Sequence, residues 1–213
     1  MRVDPMSHQD PVRALLFDLG GVLLRIDFGR VFVHWQRISA LSLPELRAAF
    51  AFDEAYDRHE RGEISGAEYF AHIRDRLQLQ DDLAHIEAGW NAIFAGRFEE
   101  TAALVRRASA QLPCAVFTNT NQTHHALWSR THAEMLEPFE HVFVSSVIGM
   151  RKPERAGFEH VAATLGVPIG SVLFFDDLGD NVNGARAAGM QAVLVRGPED
   201  VRAALAGLGI HDG

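Results

Sequence analysis

Four short polar segments hold the side chains of this sequence that are best suited to chemistry. They are FDLGGV with Asp18, FTNT with Thr118 and Asn119, GMRKP with Lys152, and FFDDLGDN with Asp176, Asp177 and Asn181. Singly, each has an ordinary structural explanation, because an aspartate at a strand end usually caps a turn and a lysine before a proline is usually solvated. Their joint occurrence, in this order and each beside an apolar run, favours one site to which all four contribute.

Carboxylates brought together from the ends of two strands must be compensated by a cation or a proton. Asp18 and Asp177 offer the hard oxygen ligands that Mg²⁺ prefers, and Mg²⁺ is often bound by one or two carboxylates together with a substrate phosphate. The sequence has no cluster of histidines and cysteines that would favour a softer metal. We therefore expect magnesium as the cofactor, with Asp18 and Asp177 among its ligands.

A phosphate-sized cradle is expected beside these carboxylates. Thr118 and Asn119 offer a hydroxyl, an amide and backbone N–H groups to phosphate oxygens, and Lys152 supplies positive charge. Asp18 is then placed to attack phosphorus in line, forming an aspartyl-phosphate that water hydrolyses. This interpretation makes Asp18 and Lys152 catalytic, and assigns Thr118, Asn119 and Lys152 to substrate binding.

Five short apolar runs supply the strands that must position these segments. They are ALLFD (14–18), CAVFT (114–118), HVFVS (141–145), SVLFF (171–175) and QAVLV (191–195). Each of the last four is followed by a helical pattern, which predicts an α/β fold with a doubly wound, Rossmann-like parallel sheet and helices on both faces. Such sheets bind ligands at the carboxyl ends of their strands, where the polar segments lie.

The stretch from 28 to 98 has a helical pattern and is too long for an ordinary connection between a strand and a helix. Asp27, Ser65 and Asp82 each precede an amphipathic run and are predicted to cap its first turn. An inserted helical cap is therefore expected, with hinges near 25–29 and 96–99. The predicted organisation is a loose leader (1–12), a catalytic core (13–27 and 99–213) and the helical cap (28–98).

Composition and charge narrow the partners. The 213 residues, 47% of them hydrophobic, can bury a full core, and a net charge of -8 with mixed signs argues against nucleic acid or an anionic membrane as the main partner. No apolar run approaches the ~20 residues that span a bilayer, and the first residues lack the apolar centre of a signal peptide. The only cysteine, Cys114, is predicted to be a buried thiol. We expect a cytoplasmic protein that binds a small phosphorylated metabolite; the sequence does not specify its oligomeric state.

The ordered motifs resemble those of the haloacid dehalogenase superfamily across nearly the whole chain, and Thr118 with Asn119, and Lys152, match its phosphate-binding second and third motifs. More closely, the chain is similar to the bacterial sugar-phosphatase branch that acts on α-D-glucose 1-phosphate. The segments that carry this similarity are FDLGGVLLRIDFGRVF, HERGEIS, TNTNQTHHALW, GMRKPE and FFDDLGDN. The resemblance implies a magnesium-dependent phosphatase for small sugar phosphates, with α-D-glucose 1-phosphate as the best guess.

The resemblance also implies roles for the acidic residues. Asp18 would be the nucleophile and a magnesium ligand, the backbone carbonyl of Gly20 a second ligand and Asp177 a third. Asp177 rather than Asp176 is assigned to the metal because its spacing to Asn181 fits the fourth motif. Asp176 is then expected to contact the lysine of the third motif or a metal-bound water, with Asn181 beside it and likewise not a direct ligand.

One position departs from the family pattern. Most phosphatases of this superfamily have a second aspartate two residues after the nucleophile, and here that residue is Gly20. Glycine cannot transfer a proton, and such assistance is typically worth about 10²–10⁴-fold in rate. Another residue could substitute, the leaving group could need little protonation, or turnover could be feeble; we favour the second explanation combined with slow turnover. The anomeric hydroxyl of a sugar is more acidic than an ordinary alcohol, which agrees with a 1-phosphate substrate.

The polar segment DRHERGEIS (57–65) is predicted as a loop between two helices of the cap. Its polar side chains either bind sugar hydroxyls or form charge pairs at a solvated helix end, and the second explanation is slightly favoured for each. These residues are His59, Glu60, Arg61 and Glu63. His125 is at best a weak candidate for the missing proton donor.

Two other functions fit parts of the pattern. A low-turnover regulatory or phosphate-binding module on the same scaffold would explain Gly20. A phosphoacceptor receiver domain also combines acidic residues, threonine and lysine on a doubly wound sheet, but its acceptor aspartate follows a later strand than its acidic pair. That order is reversed here, and a receiver has no use for the long cap, so a phosphatase is the expected function.

Overall fold

A computed structural model describes residues 10–211 of the protein. Residues 1–9 of the loose leader expected over 1–12 lie outside the described residues. At Asp10 the backbone carbonyl accepts a hydrogen bond from Gln191 Nε2 at 2.7 Å, so this part of the chain already contacts the core.

Residues 10–211 form seven strands and twelve α-helices. In chain order the strands are β1 (Ala14–Phe17), β2 (Leu24–Ile26), β3 (Phe94–Arg97), β4 (Cys114–Thr118), β5 (His141–Val144), β6 (Val172–Asp176) and β7 (Gln191–Leu194). The helices are α1 (Phe28–Gln36), α2 (Leu43–Ala49), α3 (Glu54–Glu60), α4 (Gly66–Arg76), α5 (Leu83–Asn91), α6 (Glu99–Ala108), α7 (Gln122–Thr131), α8 (Ala133–Leu136), α9 (Ser145–Ile148), α10 (Arg155–Leu165), α11 (Gly179–Ala188) and α12 (Pro198–Gly207). A short 3₁₀ helix at Ile169–Ser171 leads into β6.

Five strands form the central sheet in the order β5-β4-β1-β6-β7, and every pairing is parallel. The central strand β1 is buried on both faces: Leu15 and Phe17 pack with α6, α7 and α12, and Leu16 packs with α10 and α11. Each predicted strand agrees with the observed one to within a residue. The sheet and the helices on its two faces confirm the predicted α/β fold.

This topology brings the ends of β1 and β6 side by side. Phe17 pairs in register with Phe175, and the two rings stack with centroids 4.7 Å apart. The N–H of Asp18 donates to the Phe175 carbonyl at 2.8 Å. Asp18 and Asp176 are therefore neighbours at one edge of the sheet, although they are far apart in the sequence.

Helices α1 to α5 form the cap, between β2 and β3. As predicted, Asp27, Ser65 and Asp82 accept hydrogen bonds from N–H groups in the first turns of α1, α4 and α5. The interior of the cap is rich in aromatic rings. The buried indoles of Trp35 and Trp90, for example, stack with 5.8 Å between centroids and 5° between planes. The division of the chain at residues 28 and 98 stays a prediction.

The segments predicted as hinges contain regular structure that the sequence pattern does not reveal. Strands β2 and β3 pair in antiparallel fashion, with Leu24 opposite Arg97 and Ile26 opposite Phe94. At three and four residues these strands are too short to show the alternation that identifies a strand. A two-stranded ribbon therefore closes the inserted segment where its two ends meet the core.

Cys114 is buried, as predicted, and burial raises the pKa of its thiol to about 12. A thiol that holds its proton this firmly is a poor nucleophile. Among the helices of residues 10–211, none is long and apolar enough to cross a membrane.

Candidate active site

Lys152 lies at the centre of the polar site at the sheet edge. Its Nζ is 2.8 Å from Asp18 Oδ1 and 2.7 Å from Asp176 Oδ2, and its side chain is completely buried. The ammonium group also lies 5.7 Å from the ring centroid of Phe117 and 5.4 Å from that of Phe174. A buried lysine needs carboxylate partners to offset the loss of its hydration. Through these contacts Lys152 joins the first, third and fourth motifs in one ion cluster.

Asp176 is fully engaged in holding this cluster. Besides the ion pair with Lys152, its carboxylate accepts hydrogen bonds from the Leu178 N–H at 2.8 Å and from Asn181 Nδ2 at 3.0 and 3.1 Å. The contact with Lys152 is one of the two that the resemblance implies for Asp176, the other being a metal-bound water. Because three donors already occupy its oxygens, Asp176 has little capacity for a metal.

Asp177 lines the cavity above the sheet edge. One oxygen from each of Asp18, Asp176 and Asp177 lies within 4.8 Å of the other two. Gly21 is essential to this arrangement: its φ of +73° is in the left-handed region, and a Cβ there would lie 2.1 Å from Asp177 Oδ2. The second glycine of the GG pair is therefore required by the aspartate as well as by the turn.

The cluster is short of positive charge. Burial raises the pKa of Asp18 to about 8; Lys152 opposes this rise, and Asp176 and Asp177 add to it. Loss of solvent and the neighbouring Asp176 raise the pKa of Asp177. Burial lowers the pKa of Lys152, but Asp176 and Asp18 outweigh this effect and raise it overall. Lys152 therefore stays charged, and three carboxylates share a single ammonium group.

Thr118 is the last residue of β4 and Asn119 follows it, next to Asp18. Thr118 is buried and lines a narrow cavity together with Asp18. The amide of Asn119 binds the backbone of Lys152: its Nδ2 donates to the Lys152 carbonyl at 2.8 Å, and its Oδ1 accepts from the Lys152 N–H at 2.9 Å. This side chain fixes the loop of Lys152, and one of the two N–H groups of Nδ2 is not used by these bonds. A phosphate contact from Asn119 stays a prediction.

Ser145 is a supporting residue that the motifs do not reveal. It is fully buried, and its Oγ accepts from the Thr120 N–H at 2.8 Å and donates to the Thr120 carbonyl at 2.9 Å. These bonds tie the turn after β4 to the first residue of α9. In the sequence Ser145 only ends an apolar run, and nothing there signals its partner.

A cavity of about 490 Å³ lies between the sheet edge and the cap. From the core it is lined by Asp18, Gly20, Gly21, Asn119, Arg151, Asp177, Leu178 and Asn181, and from the cap and ribbon by Ile26, Phe28, Phe52, Tyr56 and Glu60. The carboxylate of Glu60 is buried and lies 2.6 Å from Arg151 Nη2. Burial raises the pKa of Glu60, although Arg151 and a hydrogen bond from Tyr56 oppose the rise.

The segment predicted as a polar loop at 57–65 is partly helical and holds the cap against the core. Its first four residues end α3, and Arg151 also pairs with Asp57. Arg61 binds both oxygens of Glu154, with Nη1 at 2.9 Å from Oε2. At Gly62, φ is +71° and a Cβ would lie 2.2 Å from the Ser146 carbonyl oxygen. Within this segment, Glu60 is the residue that lines the cavity with Asp18.

The sequence pattern of the haloacid dehalogenase-like hydrolases matches residues 12–189. The chain belongs to this family. It is 31% identical over 195 residues to the phosphatase MT3486 of Mycobacterium tuberculosis, covering 86% of this chain and 87% of that protein. It is 27% identical over 192 residues to the sesquiterpene phosphatase astK of Aspergillus oryzae, covering 84% and 87%.

A solved structure agrees with this assignment. The HAD family enzyme BT-2542 of Bacteroides thetaiotaomicron, in complex with magnesium and inorganic phosphate, is 25% identical and superposes with a TM-score of 0.74 over 85% of this chain and 92% of that one. The resemblance expected from the motifs is thereby confirmed at the level of the family, and the chain is a hydrolase of that family.

The histidines of this hydrolase that lie near the cavity are uncharged at neutral pH. His124 stacks on Trp90 with centroids 4.8 Å apart, its Nε2 is 3.2 Å from the Trp90 carbonyl oxygen, and burial lowers its pKa to about 3. His59 stacks on Tyr69, and burial lowers its pKa to about 4. His125 packs on Trp128 and is not among the residues that line the two cavities around Asp18.

Gly20, the departure from the family pattern, lines the cavity beside Asp18. A Cβ at this position would lie 3.2 Å from Ile26 Cγ1, and the backbone is not in the left-handed region. A larger residue is therefore accommodated once the Ile26 side chain moves by a few tenths of an ångström. Position 20 itself offers no group that can transfer a proton.

Proposed function

We propose that this hydrolase is a magnesium-dependent phosphatase that acts on small phosphate monoesters through an aspartyl-phosphate on Asp18. The observation that carries the proposal is the ion cluster at the sheet edge, where Lys152 Nζ lies 2.8 Å from Asp18 Oδ1 and Asp177 opens onto the cavity. The name of MT3486 as a phosphatase, and the magnesium and inorganic phosphate bound to BT-2542, support it.

The residues at the sheet edge fit a magnesium ion. Asp18, Asp177 and the backbone carbonyl of Gly20 supply hard oxygen donors, and all three residues line the cavity. Three carboxylates opposed by one lysine leave a negative charge that a divalent cation compensates. When bound there, magnesium would supply positive charge next to the phosphoryl oxygens.

The chain's own residues divide the remaining work. Asp18 attacks phosphorus as the bond from phosphorus to the alcohol oxygen breaks; that oxygen leaves with the bonding electron pair and takes a proton from water. Lys152 and Thr118 bind the phosphoryl oxygens, while Asp176 and Asn181 hold Lys152 in place. Water then attacks the phosphorus of the aspartyl-phosphate, which releases inorganic phosphate and regenerates the carboxylate.

Two observations suggest different alcohols as the leaving group, one polar and one apolar. The resemblance of the motifs and the absence of a proton donor at Gly20 favour α-D-glucose 1-phosphate, whose anomeric oxygen departs with little protonation. The relative astK is named as a sesquiterpene phosphatase, which would release an apolar alcohol. The proposed phosphatase chemistry is the same for both. A small phosphorylated metabolite as the partner and a cytoplasmic location stay predictions from the sequence.

Release of inorganic phosphate tests the proposal. Acetyl phosphate, α-D-glucose 1-phosphate and glucose 6-phosphate should be assayed with and without magnesium, and we expect magnesium-dependent release by the wild type. Asp18→Asn keeps the size of the side chain and should reduce release by roughly 10⁴-fold or more, because the nucleophile is lost. Asp75→Asn, at a side chain 75% exposed, is the matched control.

The outcomes separate this proposal from its alternative. Activity that survives Asp18→Asn in pure, folded protein would contradict the role of Asp18. A folded wild type that binds inorganic phosphate with magnesium but hydrolyses neither acetyl phosphate nor the two sugar monoesters would favour the low-turnover binding or regulatory module, for which Gly20 is the supporting observation.

A further inference from the structure

The cavity above Asp18 has apolar side chains in its lining that the phosphoryl chemistry does not use. Ile26, Phe28, Phe52 and Leu178 all line it. Three of them are unusually accessible for large apolar residues, with exposures of 37% for Ile26, 64% for Phe52 and 56% for Leu178. Single exposed apolar residues are common, but several around one cavity form a patch of the kind that binds a ligand.

The cap contributes aromatic rings that support one another. Phe52 packs edge to face with Phe28, at 5.5 Å between centroids and 90° between planes, and with Tyr56, at 4.9 Å and 83°. Mutual packing restricts the rings, so little conformational entropy is lost when a ligand binds. Aromatic rings favour a further ring at their faces and edges.

The polar side chains in the rest of the lining are largely engaged with one another. Glu60 pairs with Arg151, Tyr56 hydrogen-bonds to Glu60, and the Asn119 amide is bound to the Lys152 backbone. Arg151 Nε is buried without a partner and is the exception among these groups. A sugar carries several hydroxyls, and those left unpaired against this lining would weaken its binding.

The missing proton donor further limits which alcohols can act as the leaving group. With glycine at position 20, an alcohol that leaves as an anion is favoured over one that must be protonated. A phenol has a pKa of about 10, as in tyrosine, and its anion departs far more readily than an alkoxide. The apolar lining and the absent acid therefore point to the same kind of leaving group by independent routes.

We propose that the preferred substrates are aryl phosphate monoesters, whose apolar ring lies against Phe28, Phe52 and Leu178. This inference rests on the proposed phosphatase function. Asp18 forms a bond to phosphorus as the bond from phosphorus to the aryl oxygen breaks, the phenolate leaves with the electron pair and takes a proton from water, and water releases inorganic phosphate from Asp18. The cavity of about 490 Å³ is within the usual range for a small organic ligand.

Binding of phosphonates tests the apolar lining without any turnover. Phenylphosphonate and methylphosphonate carry the same charged group and differ in the ring, and neither can be cleaved as an ester. With magnesium present, calorimetry on the wild type should show phenylphosphonate binding about 10-fold tighter or more, because its ring leaves water. Equal affinities would overturn the inference.

Turnover tests the leaving group. The value of kcat/KM should be higher for phenyl phosphate than for α-D-glucose 1-phosphate and for cyclohexylmethyl phosphate, which is apolar but leaves as an alkoxide. Phe52→Ser and Leu178→Ser should each lower kcat/KM for phenyl phosphate about 10-fold. In both variants the kcat/KM for acetyl phosphate, whose leaving group lacks a ring, should fall much less than the kcat/KM for phenyl phosphate.

Val33→Ser is the matched control, because Val33 is 46% exposed on α1 and does not line the cavity. A preference for glucose 1-phosphate or for cyclohexylmethyl phosphate over phenyl phosphate would overturn the aryl inference, and hydrolysis of acetyl phosphate would then leave the phosphatase proposal intact. If no ester is hydrolysed, the phosphatase proposal fails, and the two phosphonates still decide whether the cavity selects an aryl group.

Discussion

The core side and the cap side of the cavity are built in opposite ways. On the core side, Asp18, Lys152 and Asp176 are buried, and the lysine binds both carboxylates at 2.7 to 2.8 Å. On the cap side, Phe52 is 64% exposed and packs against the rings of Phe28, Phe50 and Tyr56. A buried ion cluster tolerates little change, whereas an exposed ring can be replaced at small cost. The core side is therefore suited to fix the reaction, and the cap side to choose the alcohol.

The ion pairs that join the core side to the cap side are intermediate in exposure. Arg61 and Glu154 form a pair whose side chains are 23% and 43% exposed, and a pair this accessible contributes about 0–1 kcal/mol. Arg151 is less accessible, at 18%, and binds Asp57 and the buried Glu60. Of these two arginines, Arg151 makes the more buried ion pairs, and it lies next to Lys152 in the sequence.

Replacing Gly20 would break the contrast, because it adds a proton donor to the core side. Gly20→Asp should raise phosphate release from cyclohexylmethyl phosphate by about 10²-fold or more, while release from phenyl phosphate changes far less, because only the alkoxide needs protonation. Combining it with Ile26→Ala removes the Cγ1 that would lie 3.2 Å from the new Cβ and should increase the gain.

Gly20→Asn is the control, since it has the same shape and cannot supply a proton. A folded Gly20→Asp enzyme that treats alkyl and aryl esters as the wild type does would show that protonation of the leaving group does not limit the rate.

Substituting Gly21 tests how strictly the position of Asp177 on the core side depends on this glycine. Gly21→Ala places a Cβ 2.1 Å from Asp177 Oδ2 and should weaken the apparent affinity for magnesium about 10–100-fold, measured by activity against magnesium concentration. Gly166→Ala is matched to it, because Gly166 has φ +67° with nothing within 4 Å.

Both variants incur the left-handed backbone cost of roughly 1–2 kcal/mol. A similar loss of magnesium affinity in Gly166→Ala would mean that the effect comes from general destabilisation and that Asp177 is not specifically displaced.

The smallest expected effect concerns Glu60, the buried carboxylate of the cap side. Its pKa in the folded protein is raised above 4.5, so the folded state holds the proton more firmly than the unfolded chain. Its stabilising contribution is present below pH 4.5 and is lost as pH rises through the folded pKa. Glu60→Gln should therefore gain stability relative to the wild type as pH rises above 4.5, and we expect a change of about 2–4 °C in Tm.

Thermal melting across this pH range measures the difference. Glu63→Gln, at a side chain 49% exposed beside Arg58, serves as the control and should follow the wild type. A difference in Tm between Glu60→Gln and the wild type that does not vary with pH would show that Glu60 does not titrate in this range.

The sheet was predictable because its strands are continuous apolar runs between turn residues, and their parallel pairing follows from the β-α alternation. The ribbon was not, since β2 and β3 have only three and four residues and gain their structure from pairing with each other. The aromatic residues of the cap are visible in the sequence as apolar positions. Which of them face the interior, like Trp35, and which line the cavity, like Phe52, depends on how the five helices pack.

By itself, the sequence determined the fold class, the family and the polar residues that end or follow the core strands, because parallel strands bring their carboxyl ends to one edge. Only the tertiary structure decided which of those residues bind one another. It engages Asp176 with Lys152, Leu178 and Asn181, turns the Asn119 amide to the lysine loop, and brings Glu60 to Arg151. The contacts to Lys152 and to Arg151 join segments that are distant in the chain. The identity of a residue does not reveal which partner it will find across a sheet edge.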